Sequence, residues 1–254
     1  MRIILCGYEG HMGREVRACA AREEHCEIVC GVDPMMKEAD PLCVKSFGEV
    51  SDEAAAKADV VIDFSHHSLT SALLDFAEAR KLPVVLATTG QTEEEKERIR
   101  QAAGVLPVFF AANYSRGIAT LCDLVRRAAA LYPDGEIEIV EQHHDRKLDA
   151  PSGTALALFS AVKEVRPDAV ALPGRSGMGK RTREEVGIHA IRMGNIVGIH
   201  EVMIGTQNER ITLKHEAFSR GVFAEGSLKA AAFLQGKAPG LYEMKDLPKE
   251  GENG

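Results

Sequence analysis

The order of apolar runs and glycine turns predicts an α/β chain in two parts: a parallel sheet with helices on both faces, then a smaller α+β domain with a mostly antiparallel or mixed sheet. Three observations carry that prediction. Short apolar runs alternate with helical stretches over the first half, a glycine-rich turn follows the first run at once, and after Asn113 the rhythm changes to longer runs separated by turn compositions.

In the first part, strands are expected at 3–6, 27–32, 60–64, 84–87 and 108–111. Each is apolar without a polar face, as a strand covered on both sides must be. Helices are expected at 13–22, 69–81 and 92–103, the last opening Thr92-Glu93-Glu94-Glu95, an N-cap followed by acids suited to the helix dipole. In the second part a helix at 118–131 leads through Tyr132-Pro133-Asp134-Gly135 into an alternating strand at 136–142. Segments 188–193, 196–204 and 210–218 read as further strands, joined by Gly194-Asn195 and by Gly205-Thr206-Gln207-Asn208, which suggests a largely antiparallel meander. The Gly- and Arg/Lys-rich stretch 173–183 lacks apolar periodicity and reads as a mobile loop, either a lid or plain surface. A final amphipathic helix at 221–235 is placed back on the first part, so the expected domains are 1–114 with 220–254, and 115–219.

A formal charge of -7 gives no basic field for a phosphate backbone, so no nucleic-acid partner is expected. The N-terminal apolar run is too short for a signal peptide, and no run approaches the roughly 18 residues that cross a bilayer, so no membrane association and a cytoplasmic location are expected. The six cysteines show no C-x-x-C pair; they read as small apolar residues rather than as a zinc ribbon or redox dithiol.

Gly7-Tyr8-Glu9-Gly10-His11-Met12-Gly13 is G-x-x-G-x-x-G directly after one strand and directly before one helix. Such a turn brings pyrophosphate oxygens close to main-chain N–H groups and aims a helix N-terminus at negative charge. The next strand ends in Asp33, twenty residues beyond Gly13, where a carboxylate can accept hydrogen bonds from a ribose. The first domain is therefore read as Rossmann-like and dinucleotide-binding. Asp33 followed by Pro34, with no arginine to hold a 2′-phosphate, favours NADH over NADPH.

The other informative stretch runs from Glu141 to Leu156. His143, His144, Arg146 and Lys147 are followed by Pro151-Ser152-Gly153-Thr154 opening a helix, so cationic side chains and free N–H groups can converge on one carboxylate. Hydride addition to an imine-conjugated ring needs a proton donor, and either His143 or His144 has the chemistry for it. Zinc is the rival use of a histidine pair; further ligands at metal spacing are missing nearby and Lys147 would repel a cation, so no metal is expected.

Read as E-x-H-H-x-x-K-x-D-A-P-S-G-T-A, residues 141–155 resemble the signature segment of the 4-hydroxy-tetrahydrodipicolinate reductase (dihydrodipicolinate reductase) family. The turn Gly7 to Gly13, the segment Ala87-Thr88-Thr89-Gly90 and the segment Ala111-Ala112-Asn113-Tyr114 resemble that family's cofactor-binding segments in the same order. The resemblance implies reduction of 4-hydroxy-tetrahydrodipicolinate, a small dicarboxylate, with NADH or NADPH in diaminopimelate and lysine biosynthesis. It implies His143 as proton donor, Lys147 as second donor or charge stabiliser, and His144, Ser152, Gly153 and Thr154 as substrate contacts. It also implies a homotetramer formed through the second domain. Dual-cofactor members carry an acid-arginine pair where this chain has Asp33-Pro34, which again points to NADH. Two other readings compete: a different NAD(P)H-dependent imine reductase or amino-acid dehydrogenase, and a non-catalytic NADH-sensing regulator.

Overall fold

The computed structural model describes residues 1–248. In chain order its elements are β1 (Arg2–Cys6), α1 (His11–Ala20), β2 (Glu27–Val32), β3 (Cys43–Val44), α2 (Asp52–Lys57), β4 (Val60–Asp63), α3 (Thr70–Arg80), β5 (Val84–Leu86), α4 (Glu93–Ala103) and β6 (Pro107–Phe110). There follow α5 (Arg116–Leu131), β7 (Glu136–His143), α6 (Gly153–Lys163), β8 (Val170–Pro173), β9 (Glu185–Arg192), β10 (Gly198–Gly205), β11 (Arg210–Ala217), α7 (Gly221–Leu234) and β12 (Gly240–Tyr242). The chain divides into two compact units, Met1–Tyr114 together with the segment from Arg220 onward, and Ser115–Ser219. Residues 249–254, which the sequence reading assigned to the first domain, lie outside the described residues.

The first unit is a seven-stranded sheet in the order β3-β2-β1-β4-β5-β6-β12, parallel throughout. Successive side chains of β1 point to opposite faces, and both faces are covered: Ile4 and Cys6 join a core with Leu73, Leu74 and Ile99. Ile3 and Leu5 join another with Val16, Leu228 and Leu234. This double burial explains the uninterrupted apolar strands. The strand order reverses between β1 and β4, and in open parallel sheets the crevice beyond the strand ends at such a reversal is where ligands bind. The short β3, α2 and β12 escape sequence reading because two to six residues carry no legible period; β12 exists because Gly240 to Tyr242 pair in register with Pro107 to Phe109.

The second unit holds a five-stranded sheet, order β11-β10-β7-β9-β8. The expected meander is corrected here. β10 pairs antiparallel with β11 and β7, but β9 lies parallel to both β7 and β8, so the strands flanking Gly194-Asn195 are not neighbours. Parallel pairing needs a long crossover, and α6 with β8 supplies it between β7 and β9; turn composition cannot reveal which strands pair. Ile137 and Ile139 of β7, Val186 and Ile188 of β9 and Val202 and Ile204 of β10 pack against Leu121 and Val125 of α5 and Leu158 and Val162 of α6. On the other face Glu138, Gln142, Glu201 and Met203 are partly exposed. The loop after β8 is anchored to the sheet by its arginines. Arg181 donates to the Ile137 and Glu185 carbonyls at 2.9 and 2.7 Å, Arg175 reaches Glu185 at 2.5 Å, and Arg183 pairs with Asp134.

Candidate active site

In the first unit a cleft of about 1130 Å³ opens at the β1/β4 reversal, lined by Gly7, Gly10, Asp33, Lys37, Phe64 and His66 among others. Its floor is main chain because side chains cannot fit. Gly7 adopts φ +76°, and a Cβ there would stand 2.5 Å from the Phe64 carbonyl oxygen. A Cβ at Gly13 would lie 2.1 Å from the Gly7 oxygen and 2.6 Å from that of Tyr8, so only glycine lets α1 close onto the turn. Asp33 is buried, with Oδ2 accepting from Glu9 N and Oδ1 from Met35 N, both at 2.9 Å. The acid therefore fastens the glycine turn to the end of β2 and holds its charge in one place. Asp63 ends β4 and accepts from Ser65 N at 3.0 Å and Ser65 Oγ at 2.5 Å, shaping the turn on the other side of the crevice; burial raises its carboxyl above the ordinary range. A backbone cradle at a helix N-terminus, with a fixed carboxylate at the next strand end, fits a dinucleotide.

In the second unit the chemistry gathers where β7 ends. Glu141 is fully buried and accepts from His143 Nδ1 at 2.5 Å, from Arg192 Nη1 and Nη2 at 2.8 and 2.7 Å, and from Ser152 N at 3.0 Å. Burial pushes its carboxyl up, but the hydrogen bonds from His143, Arg192 and Ser152 outweigh it and bring it down to about 2. The ring of His143 meets that of His200 edge to face at 5.1 Å, and His200 is 3% exposed. Burial first, and then His143, bring His200 down to about 3, so it is neutral at physiological pH. After β7, His144 N donates to the Ile196 carbonyl at 2.8 Å and Lys147 N to the His144 carbonyl at 3.2 Å, curling the loop so that Lys147 Nζ reaches Asp149 Oδ1 at 2.7 Å. Ser152 caps α6, its Oγ accepting from Ala155 N at 3.2 Å. Cations and a helix N-terminus on one loop suit a carboxylated ligand.

Comparison with known proteins decides the family. The N-terminal model of dihydrodipicolinate reductase matches residues 1–114 and the C-terminal model matches residues 117–247. The chain belongs to the dihydrodipicolinate reductase family. It is 45% identical over 253 residues to the 4-hydroxy-tetrahydrodipicolinate reductase of Caldanaerobacter subterraneus, covering 99% of each chain, and 42% identical to that of Clostridium novyi, covering 98% of each. The fold is similar to that of the dipicolinate-bound dihydrodipicolinate reductase from Paenisporosarcina sp. TG-14, with a TM-score of 0.79 at 24% identity over 97% of this chain and 99% of that one.

Within this family member the residues singled out by sequence fall into two groups. Gly7, Glu9, Gly10 and Asp33 line the cleft, and His11 begins α1 with its side chain exposed. The side chains of Tyr8 and Tyr114 are buried in the core and that of Met12 is partly buried against it; the Arg17 guanidinium lies 4.0 Å from the Tyr8 ring centre, and Tyr114 Oη donates to the Leu86 and Phe109 carbonyls at 2.9 and 3.2 Å. Thr88 is buried beside exposed Thr89 after β5, Ala87 is partly buried, and Ala111, Ala112 and Asn113 follow β6 with partial or full exposure. In the second unit His143 ends β7, His144 and Lys147 lie on the loop that follows, and Gly153 and Thr154 open α6, Gly153 with open space where a side chain would stand. Ser152 is 2% exposed; its N–H donates to Glu141, and its Oγ accepts from Ala155 N and lies 3.3 Å from His200 Nε2. Sequence reading missed Arg192 and His200, which come from strands about fifty residues downstream and carry no local motif. Among the described residues there is no group of three or more metal-type ligands and no helix long and apolar enough to cross a membrane.

Proposed function

We propose that this dihydrodipicolinate reductase converts 4-hydroxy-tetrahydrodipicolinate to tetrahydrodipicolinate, consuming NAD(P)H and one proton and releasing NAD(P)⁺ and water. The observation that carries the reading is His143, held by buried Glu141 at the end of β7, followed by the loop that bears Lys147 and leads into the α6 N-terminus, in a chain matched from end to end by relatives that bear that activity as their name. When bound, the dinucleotide supplies the hydride. His143 donates the proton that neutralises the charge developing on the substrate. Lys147, steered by Asp149, stabilises that charge or serves as a second donor. His144 and the main-chain N–H groups of Gly153 and Thr154 bind the substrate carboxylates. A sensor of NADH has no use for such a proton-donor loop.

NADH is the preferred cofactor in this reading: the Asp33 carboxylate, pinned by two N–H groups, repels a 2′-phosphate and accepts from a free ribose hydroxyl. The working assembly is a homotetramer built through the partly exposed face of the second unit's sheet, and the enzyme works in the cytoplasm, where its six free cysteines remain reduced.

The test is oxidation of NADH and of NADPH by purified protein, with substrate generated in place from pyruvate and aspartate semialdehyde by a synthase. His143→Ala and Lys147→Ala are expected to lower turnover by about 10²- to 10⁴-fold while NADH still binds. Full turnover in His143→Ala removes the proton-donor assignment, and higher kcat/KM with NADPH removes the cofactor preference.

A further inference from the structure

The ring of His143 is held by more than a single acid. Glu141 is shared among three parts of the second unit: His143 on its own strand, Arg192 on β9 through two parallel N–H donors, and the Ser152 N–H at the cap of α6. Arg192 is fixed in turn, its Nη2 donating to the Asp149 carbonyl at 2.6 Å. We infer that Glu141 and Arg192 are positioning residues for the proton donor: the carboxylate turns His143 Nδ1–H inward, leaving Nε2 to transfer its proton, and Arg192 limits how strongly the carboxylate stabilises the imidazolium. The inference rests on the reading of His143 as donor.

The physics of a buried carboxylate supports both halves. A carboxylate only accepts, so the ring nitrogen facing Glu141 must carry hydrogen, and the tautomer is set by that contact. A second cation on the same carboxylate competes for its field, so the imidazolium is stabilised less than it would be by Glu141 alone. The other ionisable groups around His143 do not replace this arrangement. His200 on β10 is neutral, and His215 on β11 is likewise pushed down by burial. Lys147 and Asp149 on the following loop bind each other at 2.7 Å, and His144 turns into that loop through its main chain. On the strand beside Nε2 stands Gly198, where a Cβ would come within 3.3 Å of that nitrogen, so no side chain crowds it from there.

The experiment is the pH dependence of kcat/KM with NADH for wild type, Glu141→Gln, Arg192→Gln and His143→Ala. Glu141→Gln is expected to cut kcat at least ~10-fold with little change in KM and to move the alkaline limb to lower pH by about one unit. Arg192→Gln is expected to move the same limb to higher pH. Opposite displacements cannot come from general loss of structure, which lowers the plateau without moving the limbs in two directions. Should either variant fail to fold, Glu141→Asp and Arg192→Lys, which keep the charges but disturb the paired contacts, read the same limb, with Glu141→Asp expected between wild type and Glu141→Gln. Limbs that stay in place while His143→Ala still loses its turnover overturn this inference alone. Undiminished turnover in His143→Ala overturns the donor assignment beneath it.

Discussion

Single atoms decide what the cofactor cleft accepts. At Gly13 a methyl group would overlap two carbonyl oxygens of the preceding turn, at 2.1 and 2.6 Å, and neither is the movable end of a side chain. The helix preference of alanine over glycine, about 1 kcal/mol, cannot offset that clash. Gly13→Ala is therefore expected to push α1 off the turn and weaken NADH binding by about 10- to 100-fold, in line with the ~1–3 kcal/mol typical of forced overpacking. Fluorescence titration with NADH measures it, and unchanged affinity would show that the turn does not cradle the dinucleotide. His143 illustrates the other side of the same scale. Its residue type and its motif were legible in the sequence, but the bond from Nδ1 to Glu141 that sets its tautomer is visible only once β7 is folded.

At the scale of elements, α4 shows how far local rules reach. Thr92 and the acids after it predict a helix start, and the structure completes both halves of a capping box: Thr92 Oγ1 accepts from Glu95 N at 3.2 Å while Glu95 Oε2 accepts from Thr92 N at 2.7 Å. Thr92→Ala is expected to cost about 1 kcal/mol. Urea unfolding followed by far-UV circular dichroism should show a lowered midpoint, with hydrogen exchange quickened first in α4. Glu95 also accepts from His67 Nδ1 at 2.9 Å, so the cap ties α4 to the segment that leads into α3, a link with no trace in the local sequence. Elements with internal period, such as α5 with Ile118, Leu121, Val125 and Ala129 buried at spacings of three and four, are read from sequence to within about two residues.

Two buried groups, His200 and Glu141, make the molecule less stable as pH falls, and buried Asp63, whose carboxyl is raised, acts in the opposite sense. His200 has its folded value lowered from 6.5 to about 3, and Glu141 from 4.5 to about 2. In each case the unfolded chain takes up a proton at higher pH than the folded one, so stability rises with pH across the interval. The contribution of His200 is complete above about pH 6.5 and is lost as pH falls toward 3; that of Glu141 is complete above about 4.5 and is lost toward 2. Denaturant midpoints measured from pH 7 down to 4 are expected to fall steadily, with His200→Gln flattening the fall by up to about 1.4 kcal/mol per pH unit. Equal slopes for wild type and variant would show that His200 is not buried in neutral form.

What the sequence determined by itself was what depends on neighbours along the chain. The 2-residue and 3.6-residue periods marked the long strands and helices, the glycine spacing marked the turn after β1, and the run from Glu141 to Ala155 marked the candidate site at the end of β7, because each is encoded within a few residues. Tertiary structure alone decided the rest. It placed β7 between β10 and β9 in a mixed sheet, since pairing joins segments whose spacing in sequence carries no signal. It also brought Arg192 and His200 against the loop from 49 and 57 residues beyond His143, because a buried carboxylate must find its donors in space, wherever the chain supplies them.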